Sequence, residues 1–254
     1  MPPIDELTSK YESVLLGPRP GPGVCVTCFN LTDGYERCYA CSHGETWLDA
    51  VAPISYSPGQ EPLHRALASY KRLPDELARR SALELAAILW RHLAEHERCV
   101  ARAAGVSRFS VVTTVPSGVP SRDQHQPLRR IVADLVGPTR ARYERLLRRS
   151  ALPLGSRAFS RQRFEALGEL HGETVLLIDD TWTTGASAQS AAAALKHAGA
   201  SVVGAVVIGR YVNRQWRDND RRLNTIVRPY DWHRCALCAV RAGPLARYEP
   251  RVAA

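Results

Sequence analysis

Three short runs of aliphatic and β-branched residues, Phe109–Val115, Thr174–Ile178 and Val202–Ile208, stand out along the chain. They are apolar or β-branched at nearly every position, the pattern of strands buried on both faces of a parallel sheet. Between the last two lies an alanine-rich helical run, Ala188–Ala198, with Gly199 placed to cap its C-terminus. Together these predict a strand–loop–helix–strand unit of the parallel α/β kind. Upstream, Leu85, Ile88, Leu89 and Leu93 form an apolar stripe at helical spacing, predicted as core packing. The helix carrying it is predicted to begin at Pro74-Asp75-Glu76, with acids in its first turn. Leu128–Val136 predicts a helix, Trp47–Tyr56 a strand, and Arg140–Arg149 a strongly basic helical segment. A short N-terminal helix is expected before Gly17–Gly23, a proline- and glycine-rich spacer. No internal repeat is visible, and beyond Pro229 the tail lacks periodicity.

The strand Thr174–Ile178 ends in two adjacent carboxylates, Asp179 and Asp180. After them Thr181, Thr183, Thr184, Gly185, Ala186 and Ser187 lead into the alanine-rich helix. Unpaired N–H groups at a helix N-terminus, together with its dipole, favour an anion. The hydroxyls add donors, and glycine permits a close approach or a positive φ. The combination predicts a phosphate cradle, and the acid pair suits vicinal sugar hydroxyls at the other end of a sugar phosphate. A Walker-type loop needs a lysine after its second glycine, and none is present. The three-glycine dinucleotide pattern is missing too, as is the haloacid-phosphatase spacing of its two aspartates. The plainer alternative is a strand-to-helix turn whose hydroxyls only cap the helix.

The second chemical feature is Cys25-x2-Cys28, nine intervening residues, then Cys38-x2-Cys41. Four thiolates in two knuckles have the spacing of a small tetrahedral zinc ribbon. So small a module buries little apolar surface, so the metal would supply folding energy on the order of 10 kcal/mol. Disulfides are the competing reading. Against them, Met1-Pro-Pro-Ile-Asp-Glu6 has neither a basic leader nor an apolar signal core. No apolar run approaches the roughly 20 residues needed for a membrane span. A cytoplasmic location with reduced thiols is therefore expected. Cys235 and Cys238 follow His233 and leave three readings open: a second site with His233, a replacement for one N-terminal knuckle, or two ordinary thiols. Cys99, inside a helical pattern, is expected as a small apolar residue.

Asp179-Asp-Thr-Trp-Thr-Thr-Gly-Ala-Ser187 resembles the phosphoribosyl pyrophosphate signature of type I phosphoribosyltransferases. The resemblance implies that Asp179 and Asp180 hold the ribose hydroxyls while Thr183–Ser187 wraps the 5-phosphate. With the four-cysteine module ahead of it, the chain is similar to the ComF family, known for a link to DNA uptake. Leu67–Lys71 resembles that family's Lys/Tyr-containing helix with the two residues reversed. Val111–Ser117 resembles its first core strand and turn, and Gly155–Phe159 a short segment before the signature. The likeness spans roughly residues 24 to 210, with the cysteines and the signature as its specific parts. One stretch departs: where the family has an arginine-rich run, this chain reads Ser121-Arg-Asp-Gln-His-Gln-Pro127. The pyrophosphate candidates are therefore the backbone of Pro116, Ser117 and Gly118, together with Arg122. His125 is read as a solvated loop residue.

The fold implied is α/β: a type I phosphoribosyltransferase fold, a mostly parallel twisted sheet flanked by helices, with a small N-terminal zinc ribbon. The expected organisation is an N-terminal helix and linker (residues 1–23), the ribbon (24–48), an α/β domain (49–210, with its core at 109–210) and a basic tail (211–254). The activity implied is displacement of pyrophosphate at C1 of ribose by a nitrogen acceptor, with Mg²⁺ accompanying the donor and Zn²⁺ structural. The alternative is a non-catalytic phosphoribosyl pyrophosphate binder or a DNA-uptake accessory protein.

Composition fits a globular chain: 254 residues, 45% hydrophobic, enough for one substantial core and a satellite module. The formal net charge of +9 and pI near 9.5 favour anionic partners. Phosphoribosyl pyrophosphate is one such partner. Single-stranded DNA or another nucleic acid is a second, through Arg145, Arg148 and Arg149 or the run Arg210–Arg222 with Tyr211 and Trp216 interleaved. Solvated helix faces are the alternative for both clusters.

Overall fold

Period-two alternation along the apolar runs sends successive side chains to opposite faces of one sheet. In the computed structural model, which describes residues 3–71, 75–117, 125–152, 154–155 and 158–238, that sheet has four strands, all parallel. The chain begins with helix α1 (Ile4–Glu12), a short helix α2 (Tyr39–His43), strand β1 (Ala50–Tyr56), helix α3 (Pro62–Ser69), the long helix α4 (Glu76–Ala103) and strand β2 (Val111–Thr114). Helix α5 (Pro127–Arg130) runs on into a π-helical turn at Ile131–Leu135, and helix α6 (Gly137–Arg140) follows. Then come strands β3 (Leu147–Arg149), β4 (Phe164–Ala166) and β5 (Thr174–Trp182), helix α7 (Ala186–His197), strand β6 (Val202–Arg210) and helix α8 (Asn219–Asn224). The order across the main sheet is β1-β6-β5-β2.

Both faces of the sheet are covered. Ala52, Ile54, Val112, Leu176, Ile178, Val206 and Ile208 pack with Leu85, Ile88, Leu89 and Leu93 of α4. The alternate residues Val111, Val175, Leu177, Val203, Ala205 and Val207 pack with the alanines of α7 and with Cys25, Cys28 and Cys38. The four-cysteine segment thus rests on the same face as α7. It holds one isolated antiparallel bridge, Val24 to Leu31, and the short α2, with no extended strand pair.

Several elements differ from the pattern-based expectation. Helix α4 is capped by Asp75, whose side chain accepts from the Ala78 N–H at 2.6 Å. Pro74 lies outside the described residues. Strand β5 continues past Ile178 through both acids to Trp182. The largest difference is Arg140–Arg149, predicted as one basic helix. Only α6 is helical there, and Leu147–Arg149 forms a small antiparallel sheet with β4. The register sets Arg148 opposite Glu165, and the two form a 2.8 Å ion pair, a cross-strand contact that a continuous helix would forfeit. Arg142 is consumed inside, gripping both carboxylate oxygens of Glu97 and the carbonyls of Phe109 and Pro138. Tertiary partners override the local helical preference of that run.

No helix among the described residues is long and apolar enough to cross a membrane.

Candidate functional site

In a parallel sheet the carboxyl ends of neighbouring strands open onto a crevice where ligands bind. The register of β2 against β5 pairs Thr114 with Ile178, so Val115–Ser117, just past the end of β2, lie beside Asp179–Thr181 in the last part of β5. They line a cleft of about 530 Å³, closed on other sides by α3, α5 and the chain running into β3. Asp179, Asp180, Thr181, Thr183, Ser187, Pro116 and Ser117 all line it. Sequence spacing and the sheet together therefore bring the acid pair, the hydroxyl loop and the first-strand turn to one place. Gly118 and Arg122 lie outside the described residues, as does most of Ser121–Pro127.

The turn after β5 is built around Gly185, which sits at φ +86° as the N-cap of α7. A side chain there would meet a second obstacle: a Cβ would lie 2.2 Å from Cζ2 of Trp182, whose ring is fully buried beneath the loop. Glycine is thus required twice, by backbone conformation and by the indole. Gln189, one turn into α7, ties the loop to the chain entering β1, accepting from the Trp47 and Leu48 N–H groups at 2.7 and 3.1 Å. Thr184 and Ala186 flank the glycine, and the Thr184 hydroxyl accepts from the Ala186 N–H. Ser187, in the first turn of α7, lines the cleft, and N–H groups in the first turn of a helix have no intrahelical acceptor.

Both carboxylates are buried, and their environments differ. Asp180 Oδ2 accepts from the Tyr70 hydroxyl and lies 2.6 Å from Lys71 Nζ. Asp179 turns one oxygen back to the Asp180 N–H at 2.9 Å. Burial, and then the neighbouring Asp180 charge, push the Asp179 carboxyl up to about 7. Lys71 pulls the other way without cancelling either effect.

Several residues facing the cleft were not assigned a site role from the sequence. Tyr70 and Lys71 directly follow α3; Tyr70 reaches Asp180 across 110 positions of chain and Lys71 pairs with the same carboxylate, which no local pattern encodes. Tyr143 shares a 3.1 Å hydrogen bond with Thr114 Oγ1 at the end of β2, and burial raises its hydroxyl above the ordinary tyrosine value. Arg145, Arg129, Gln126 and His64 also line the cleft. Arg145 lay in view as one arginine of a basic run, two residues before buried Leu147, which lines the cleft with it. His125 is exposed and does not line the cleft.

The other arginine cluster is mostly used internally. Arg214 pairs with Glu61 and Asp220, Arg217 with Asp33 and Arg221 with Asp218. Arg222 donates to the Thr32 and Gly23 carbonyls. Trp216 is left exposed.

A separate centre lies at the four cysteines of the N-terminal module. The sulfurs of Cys25, Cys28, Cys38 and Cys41 all fall within 4.8 Å of one another, with Cys28 and Cys38 at 3.6 Å. Cys25 and Cys28 sit in a tight turn closed by the Phe29 N–H on the Cys25 carbonyl, and Cys38 and Cys41 on the first turn of α2. One metal ion can contact all four, and an all-sulfur donor set suits a thiophilic ion. The chain matches no protein-family model and no curated protein.

Proposed function

We propose that the chain is a phosphoribosyltransferase, binding phosphoribosyl pyrophosphate with Mg²⁺ and exchanging its pyrophosphate for a nitrogen acceptor at C1. The observation carrying this reading is the single cleft lined by Asp179, Asp180, Thr181 and, from the turn that follows, Thr183 and Ser187, at the carboxyl end of β5; Thr184, Gly185 and Ala186 complete the turn without lining the cleft. The turn offers amides and hydroxyls to the 5-phosphate. The acids accept from the ribose 2- and 3-hydroxyls and offset positive charge that develops on the ring as the C1–O bond breaks. An acceptor lone pair forms the new C1–N bond, the pyrophosphate leaves with the C1–O electron pair, and the acceptor's proton passes to solvent. Positioning and charge stabilisation carry the rate, without a covalent nucleophile.

Lys71, Arg129 and Arg145 are the cations that line the described part of the cleft, and they would receive the pyrophosphate. Lys71 rests on Asp180 in the ligand-free protein, so donor binding would exchange that ion pair for contacts to both ends of the ligand. The cleft carboxylates form an all-oxygen set of the kind hard cations prefer, which fits Mg²⁺ arriving with the donor. The ion would neutralise charge on the leaving pyrophosphate. Zn²⁺ is the proposed occupant of the four-cysteine centre, where it would hold that segment folded.

Pyrophosphate release, assayed with the purified protein, Mg²⁺ and a panel of nucleobases and small amines, tests the activity. Acceptor-dependent release that Asp180→Ala abolishes supports a transferase. Saturable binding of phosphoribosyl pyrophosphate with no release against any acceptor would indicate a non-catalytic binder. That outcome draws on one observation, the engagement of Asp180 by both Tyr70 and Lys71.

A further inference from the structure

The three readings open for Cys235 and Cys238 are narrowed by where the chain end lies. His233 is not their partner. Its ring is exposed and faces Glu95, with Nδ1 3.8 Å from the carboxylate. The residues that meet the pair come instead from the far end of α4, where His96 and Cys99, three apart, project from one face. Cys99 Sγ lies 3.3 Å from Cys238 Sγ, and Cys235 Sγ lies 3.2 Å from Cys238 Sγ. His96 Nδ1 is 3.4 Å from Cys238 Sγ and 3.9 Å from Cys99 Sγ.

We propose that His96, Cys99, Cys235 and Cys238 form a second structural zinc site, which clasps the C-terminal segment onto α4. Three further observations agree. First, His96 Nε2 sits 2.7 Å from the Trp232 carbonyl, which can only accept, so Nε2 carries the proton and the Nδ1 lone pair is turned toward the sulfurs. A ligand histidine fixed through its other nitrogen is the usual outer-sphere arrangement of zinc centres. Second, the Cys238 N–H donates to Cys235 Sγ at 3.2 Å, the backbone-to-thiolate bond of a metal-binding knuckle. Third, the sulfur separations exceed a disulfide bond of about 2.05 Å. They are about half an ångström short of the ~3.8 Å edge that Zn–S bonds of about 2.3 Å give a tetrahedron. A small outward movement would admit the ion.

The surrounding contacts show what the clasp secures. Trp232 stacks under the Arg91 guanidinium at 4.5 Å and donates to Glu12, and the Tyr230 N–H donates to the Glu12 carbonyl. Helix α1, helix α4 and the chain end are therefore joined immediately beside the four ligands.

Metal analysis of the full chain, purified under reductant, tests the proposal. About two zinc equivalents per chain are expected. His96→Ala and Cys238→Ser should each lower this to one, and His96→Cys, which keeps four ligands, should restore two. Cys25→Ser should also leave one, and combining it with Cys238→Ser should leave none. Titrating the metal-free wild type with Co²⁺ needs no variant to fold: two thiolate-to-metal absorption phases are expected, one with a three-sulfur, one-nitrogen field. One equivalent that His96→Ala and Cys238→Ser leave unchanged, or a single Co²⁺ phase, would overturn the site. So would a Cys235–Cys238 disulfide in freshly purified reduced protein, read from intact mass.

Discussion

Arg210 Nη2 lies 3.5 Å from Cys28 Sγ, and Nη1 of the same buried guanidinium holds the Trp182 and Thr183 carbonyls at 3.1 Å each. The last residue of β6 thus bridges the four-cysteine centre and the turn proposed to bind phosphate. Its remaining bonds go to the Cys28 and Tyr211 carbonyls. A divalent ion ringed by four thiolates carries net negative charge, which a buried arginine beside it offsets.

Removing that cation takes a donor from the Cys28, Trp182, Thr183 and Tyr211 carbonyls, of which Trp182 keeps the Tyr211 N–H. Arg210→Leu is expected to cost about 3 kcal/mol of stability, read from the denaturant midpoint. Phosphoribosyl pyrophosphate affinity should fall at least ~10-fold, about 1.4 kcal/mol, because the turn loses its support from below. Arg210→Lys should recover little of either, since an ammonium cannot serve four carbonyls in a fork. Unchanged ligand affinity in a stably folded Arg210→Leu protein would show that the two centres are independent.

The raised Asp179 carboxyl gives the site a pH signature. Ribose hydroxyls donate best to a carboxylate, so donor affinity is expected to climb as pH rises through about 7 and to level off above it. Asp179→Asn should flatten that step while leaving the one due to ligand phosphate titration. Stability of the free protein runs the opposite way. The folded value lies above the ordinary 3.8, so Asp179 contributes stability that is fully present at acid pH and lost as pH rises through about 7. Asp179→Asn should lack this trend, and denaturation series across the window would show whether it does.

Gly185 supplies the sharpest backbone test. An alanine there takes φ +86° and drives its methyl into the Trp182 ring. The expected loss is about 2–4 kcal/mol, with the turn displaced and ligand binding gone. If Gly185→Ala matched wild type in thermal melting, the described packing of Trp182 under the loop would be wrong.

How much of this was legible in the chain depends on the range of each interaction. The unit β5–α7–β6 was visible because continuous apolar runs, alanine content and Gly199 are local signals, and both acids lay where the apolar run of its first strand ends. The strand's run on to Trp182 was not foreseen, because pairing with β6 as far as Trp182–Arg210 outweighs the polar side chains of Asp179 and Asp180. Tyr70 and Lys71 were seen only as part of a resemblance, because Asp180 is brought to them by the sheet. His96 was hidden for the same reason: Cys99 and Cys238 meet across 139 positions, and only the docking of the chain end on α4 makes a cluster of them. The basic run Arg140–Arg149 misled because charge pattern alone does not reveal which arginines find a carboxylate, as Arg142 does in Glu97 and Arg148 in Glu165.

Calorimetric titration of phosphoribosyl pyrophosphate with Mg²⁺ into wild type and Asp180→Ala decides whether the acid pair holds the donor. Saturable one-to-one binding by wild type, displaceable by ribose 5-phosphate, is expected, with no measurable heat from the folded variant. Equal affinity in the two proteins, or no binding by wild type at pH 8, would contradict that role.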